Sequence, residues 1–157
     1  MRLFCFASRS VENIRRGIEA KRWAVAKVTD TAMKARITKA ERNLRPGDLG
    51  LLYCNPLHAF TVPFIVETRA DPGAVITNVW PEPWVLPFDI APLGDLRRSV
   101  EQNDAMGRWP IIQKRLAPSG GVSAAMNITG TTVFVPVEIE LADWRIILDD
   151  LANLTEQ

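Results

Sequence analysis

Trp23, Trp80, Trp84 and Asn13 are the residues whose types and spacing could grip a flat ligand. Trp80 and Trp84 stand in Asn78-Val79-Trp80-Pro81-Glu82-Pro83-Trp84, where two prolines exclude a helix interior or a central strand, so a loop is expected to hold both indoles. Indole faces stack on nucleobases and attract cationic or methylated groups, and a carboxamide carries both a donor and an acceptor for a Watson–Crick edge. Base binding is the chemistry this set offers. Each tryptophan alone would equally suit a hydrophobic core, with Val85-Leu86 beside Trp84 plainly suited to burial, and Asn13 would equally suit a helix surface or cap.

The chain has 157 residues, a length that fits one domain with one ordinary core, and the expectation is a single domain over 1–157. Its net charge of +1 hides an uneven distribution: residues 1–50 hold 12 Lys/Arg against 5 Asp/Glu, whereas residues 51–157 hold 7 against 13. The basic third is the part expected to meet an anionic partner, although a solvated basic helix face would have the same composition. No apolar run is long enough to span a bilayer and no signal-peptide core precedes the charged segment, so no membrane partner and a cytoplasmic location are expected. Cys5 and Cys54 fall in separate apolar segments and are expected as free buried thiols.

Several chemistries lack their usual residues. His58 is the only histidine and the two cysteines have no ligand spacing, so no metal site is expected. Phosphate-loop, dinucleotide-binding and serine-elbow motifs are absent, and neither a cofactor nor a catalytic residue is expected. The pairs Asp149-Asp150 and Glu138/Glu140 are expected on solvated faces.

The elements that must position the aromatic residues follow from the pattern. Arg2 to Ala7 reads as a strand, and Ser10 caps a helix in which Val11, Ile14 and Ile18 recur at helical spacing, ending near Ala20 or Lys21. Trp23 to Val28 reads as extended, and a second short helix is expected within the basic stretch from Thr29 to Arg45. After the Pro46-Gly47-Asp48 turn, Leu49–Cys54 and Phe60–Thr68 form a hairpin, with Pro63 implying a bulge or an edge. Val75–Trp80 and Trp84–Ile90 are expected as strands, Ser99 to Ile128 as a helix and a long surface loop, and Val133 to Glu140 as an alternating strand. The closing helix begins near Leu141, with Leu141, Trp144, Leu148, Leu151 and Leu154 as its apolar stripe, which makes Trp144 a packing residue; Trp109 is unassigned. This order implies an α+β domain built on a strongly curved sheet or small barrel flanked by helices.

The segment Phe6-Ala7-Ser8-Arg9-Ser10-Val11-Glu12-Asn13-Ile14, followed by Lys21-Arg22-Trp23-Ala24, resembles the opening of YTH domains. Arg45-Pro46-Gly47-Asp48-Leu49 through Tyr53-Cys54, after a basic segment, is similar to a pattern of EVE domains, and both families belong to the PUA-like superfamily. Trp80 to Ile90 resembles the YTH segment with the later cage tryptophans, while Val135-Pro136-Val137-Glu138 and Trp144 to Leu151 look like the closing strand and helix of EVE domains. Arg9 stands where some YTH domains place a second asparagine, and Cys54-Asn55 replaces a His-Ser pair frequent in EVE domains.

The resemblance implies a PUA-like fold that binds a modified nucleobase flipped into an aromatic cage. Trp23 would form one wall and Trp80 or Trp84 the other, with Asn13, Ser8 and Asn55 as polar contacts and Arg9, Lys34, Arg36 and Lys39 as phosphate contacts. The implied partner is nucleic acid carrying a methylated or hydroxymethylated base, foremost DNA read for a fused or associated nuclease of a modification-dependent restriction system. A reader of modified RNA is the alternative, and a small PUA-like hydrolase using Lys21 and Glu67 is the enzymatic one. Ending just after its closing helix, the chain would suit an excised specificity domain.

Overall fold

The computed structural model describes residues 2–27, 30–115, 121–128 and 133–155. Its centre is a curled half-barrel of mixed strands flanked by helices. β1 (Arg2–Ser8) runs parallel to β3 (Leu49–Cys54), β3 pairs antiparallel with β4 (Ala59–Val66), β4 with β6 (Trp84–Pro92), and β6 with β2 (Arg22–Ala26). The short β8 (Val137–Glu138) flanks β1, giving the order β2-β6-β4-β3-β1-β8, with β5 (Val75–Ile76) on β6 and β7 (Val100–Glu101) on β4.

The central strands are apolar at nearly every position because both faces of the sheet are covered. Phe4, Phe6, Leu52, Cys54, Val62 and Phe64 pack into the concave interior, and Leu3, Cys5, Leu51, Tyr53 and Phe60 pack on the opposite face. Phe6 anchors the concave side, with ring centroids 5.4 Å from both Phe88 and Phe134. Cys5 and Cys54 are free, buried and on opposite faces. Pro63 pairs with Leu51 inside β4, and its carbonyl accepts from Leu93 N just beyond the β4–β6 ladder, so its missing N–H falls at a local edge. The β3–β4 register shifts after Leu52, where the extra Thr61 donates its hydroxyl to the Leu52 carbonyl at 3.0 Å.

On the concave side, α1 (Val11–Ala20) begins at Ser10, whose Oγ accepts from Asn13 N at 3.2 Å, and ends at Lys21 in the left-handed region with φ 54°. α2 (Thr31–Ala40) buries Ile37 and exposes Lys34, Arg36 and Lys39. The other face is covered by α3 (Gln102–Arg108), α4 (Pro110–Arg115), α5 (Gly121–Ala125) and α6 (Leu141–Thr155).

This second face departs most from expectation. The surface loop expected within Ser99–Ile128 is instead a set of short helices, apart from 116–120, which lie outside the described residues. Trp109, Ile112, Ala125 and Met126 are completely buried there, so the segment is core and not loop. The alternation from Val133 to Ile139 does not make one strand: Val133 and Phe134 pack on the concave side, whereas Val137 and Ile139 pack on the other. The chain crosses the sheet edge between them, with Phe134 at φ 65°, and only Val137–Glu138 pairs. The stripe of α6 is rotated from the expected one, since Leu141 and Leu148 are exposed while Ile147 and Asp150 are buried. Asp150 is therefore no solvated residue: its carboxylate accepts from Trp109 Nε1 at 2.7 Å and pairs with Arg108 at 3.0 Å.

Candidate functional site

The three tryptophans come from separate stretches of chain and meet at one corner of the concave core. Trp23 lies in β2 opposite Phe88, Trp84 opens β6 opposite Ala26, and Trp80 lies in the turn between β5 and β6. The expected strand Val75–Trp80 is only two residues long, because Asn78 to Pro83 turns back with prolines at 81 and 83. Trp80 and Trp84 stack at 4.2 Å between ring centroids and 14° between planes. Trp23 meets both edge-on, at 5.6 Å and 83° from Trp80 and 5.4 Å and 80° from Trp84. The parallel pair is thus Trp80 with Trp84, not Trp23 with either. At this spacing no base lies between them: they are 2 % and 8 % exposed.

Helix α1 holds the cluster from one side. Trp80 Nε1 donates to the Asn13 carbonyl at 2.9 Å, and Arg16 Nη1 donates to the Val79 carbonyl at 3.4 Å. One turn after Asn13, Gly17 leaves room for Trp23: a Cβ there would stand 2.8 Å from Trp23 Cε3 and 3.0 Å from the Arg22 carbonyl. Asn13 itself is half-buried, and its carboxamide makes no hydrogen bond among the described residues, although its backbone is committed on both sides. The residue whose backbone carbonyl holds Trp80 therefore also carries an unspent side-chain donor and acceptor.

Ser8 and Asn55 are brought near each other, since Asn55 N donates to the Ser8 carbonyl at 2.9 Å. The Ser8 hydroxyl is spent on the turn into α1, donating to the Ser10 carbonyl at 3.0 Å and accepting from Ser10 N at 3.1 Å. Asn55 is half-buried at the start of the turn to His58. Arg9, on the same turn as Ser8, and Lys34, Arg36 and Lys39 on α2 are exposed and have no ion pair among the described residues. Asn127, another polar residue of the later half, is fixed elsewhere: it accepts from Arg115 at 3.1 Å and donates to the Pro136 carbonyl at 3.3 Å.

Shifted ionisations lie outside this corner. Hydrogen bonding to Asp143 raises the Lys114 ammonium above its ordinary value, the Arg97 backbone N–H holds Asp95 below the carboxylate range, and burial pushes the Tyr53 hydroxyl and the Cys5 thiol up. Lys21 and Glu67, the hydrolase pair, are both exposed, with no ion pair joining them among the described residues. No cluster of three or more His, Cys, Asp or Glu that could hold a metal occurs among the described residues. Two surface hollows, of about 530 and 320 Å³, are lined by residues such as Arg98 and Arg108, and Pro63 and Leu148; neither reaches the indoles. No helix among the described residues is long and apolar enough to cross a membrane.

No family model matches the sequence, and no curated protein matches it. Solved structures do match the fold. The YTH domain of the Zygosaccharomyces rouxii MRB1 protein, in complex with N6-methyladenosine RNA, superposes with a TM-score of 0.58 over 98 % of this chain and 86 % of its own, at 14 % identity. The Pho92 YTH domain in complex with m6A gives 0.57 over 99 % and 84 %, at 13 % identity. A Pseudomonas putida protein gives 0.53 over 94 % and 97 %, at 12 % identity. This chain has a YTH-like fold.

Sequence reasoning placed the three indoles in one site but missed what holds them. Gly17 is a glycine inside a helical pattern, a recognisable sign of close packing, whereas the bonds to the Asn13 and Val79 carbonyls involve backbone acceptors that leave no trace in residue identity.

Proposed function

We propose that this protein is a non-catalytic reader of a modified nucleobase, bound against Trp23, Trp80 and Trp84 after being flipped from its strand. The observation that carries the reading is the meeting of three indoles at Asn13, whose backbone carbonyl holds Trp80 and whose carboxamide has no hydrogen bond among the described residues. Stacking contributes roughly 1–3 kcal/mol per base and can offset the few kcal/mol that unstacking a base costs. The Asn13 carboxamide would read the base edge, Asn55 would line the approach, buried Ser8 would shape the turn that carries Arg9, and Arg9, Lys34, Arg36 and Lys39 would meet phosphates without regard to sequence.

The polymer is proposed as DNA, with the domain serving a fused or associated nuclease of a restriction system in the cytoplasm. A specific observation favours RNA as the second reading: two structures sharing the fold are complexes with N6-methyladenosine. Contacts to the 2′-hydroxyl would distinguish the two. Fluorescence titrations at fixed salt with matched strands, modified or unmodified, DNA or RNA, test both. Preference for a modified strand of about tenfold or more is expected, and equal affinity for every matched pair would refute the reader.

A further inference from the structure

The three indoles differ in how they are fastened. Trp23 and Trp84 belong to β2 and β6, which pair with each other on either side of them, Trp23 with Phe88 and Trp84 with Ala26. Trp84 is fixed further by β5, through its pairing with Ile76. Trp80 belongs to no strand. It lies in a turn of exposed Thr77, Asn78, Pro81, Glu82 and Pro83, and its side chain is fastened to α1 by a single hydrogen bond, from Nε1 to the Asn13 carbonyl. The neighbouring tie, Arg16 to the Val79 carbonyl, is longer and exposed. Movement of Trp84 would break ladder bonds on two sides, whereas movement of Trp80 breaks no ladder bond: it gives up its burial, its stack on Trp84, its edge contact with Trp23 and these two ties.

We propose that Trp80 is the moving wall of the base slot: in the free protein it stacks on Trp84 and is latched to α1 by its indole N–H, and a flipped base enters by prising it away. This rests on the reader function. Trp84 and Trp23 stay in place, one presenting its face to the base and the other closing the end of the slot edge-on. Trp80 thereby stacks on the surface of Trp84 that the base will cover, so the apolar slot stays dry until a ligand replaces it. Such turns open on the microsecond to millisecond timescale, and the latch lowers the fraction of open molecules and hence the observed association rate.

Trp80→Phe keeps an aromatic face and removes the latch, and Trp84→Phe serves as the strand-borne control. The measurements are backbone hydrogen exchange of residues 77–82 without ligand, and stopped-flow association with an oligonucleotide carrying N6-methyladenine. Losing one neutral hydrogen bond should speed exchange in that segment, and association, roughly fivefold in Trp80→Phe. Trp84→Phe, which trims the stack but keeps the latch, should speed exchange there less than Trp80→Phe does. Unaltered exchange and association in Trp80→Phe, with tight binding intact, would overturn the moving wall and leave the reader standing. Faster exchange with no binding of that strand, or of any other modified strand, would overturn the reader, and the entry route with it.

Discussion

The two faces of the sheet use the same residue type in opposite ways. On the face covered by α3 to α6, Trp109 and Trp144 are at most 1 % exposed, and Trp109 spends its N–H on a buried carboxylate that Arg108 also holds. Lys114 there is paired with both Asp143 and Glu140. On the concave face, Trp80 spends its N–H on the backbone carbonyl of half-buried Asn13, and the Asn13 carboxamide and the cations of Arg9 and α2 have no partner among the described residues. The Trp109, Asp150, Arg108 and Lys114 groups are thus satisfied internally, with Trp144 Nε1 on the same face buried without a partner among the described residues, whereas the concave face leaves the Asn13 carboxamide and the exposed cations of Arg9 and α2 open to an outside partner.

The contrast can be broken most severely from the stable side. Trp109→Ala is expected to lose about 3–5 kcal/mol and to lower the melting temperature by roughly 10 °C or more, seen in urea and thermal unfolding, while base affinity per folded molecule stays the same. Gly17→Ala probes the other face: its Cβ would meet Trp23 at 2.8 Å, so about 1–3 kcal/mol of stability is expected to go, together with a changed near-ultraviolet dichroism of the indoles. Replacing Lys34, Arg36 and Lys39 by glutamine is expected to leave stability within about 0.5 kcal/mol and to reduce the salt dependence of binding, by up to about 2–3 in logarithmic slope if all three meet phosphates.

The smallest effect is electrostatic. Asp143 raises the Lys114 ammonium, so the stabilisation is present below that group's ordinary value and is lost as pH rises through the raised one. Asp143→Asn is therefore expected to flatten the alkaline end of a stability–pH curve and to leave base binding alone.

Much of the concave face was legible in the sequence because its signals are local. Ser10 as a cap, helical spacing through Ile18, the Pro46-Gly47 turn and the prolines beside Trp80 each act within a few residues, and they set α1, the hairpin and the tryptophan turn. The opposite face was not, because its organisation depends on contacts distant in sequence. Asp150 reads as a solvated charge until Trp109, 41 residues earlier, is placed against it. Val133 to Ile139 reads as one strand because apolar alternation records burial without recording which side of the sheet does the burying. For the candidate site, residue types named the indoles and Asn13, but the stacking of Trp80 on Trp84 comes from tertiary packing alone.

The most direct test is a paired titration of the parent and Asn13→Ala with one strand in modified and unmodified form. Asn13 makes no side-chain hydrogen bond among the described residues, so alanine should leave thermal stability within about 0.5 kcal/mol of the parent. The account predicts that the parent prefers the modified strand by about tenfold or more and that Asn13→Ala binds it roughly tenfold more weakly. Equal affinity of the parent for both strands, or unchanged binding of the modified strand by Asn13→Ala, would contradict it.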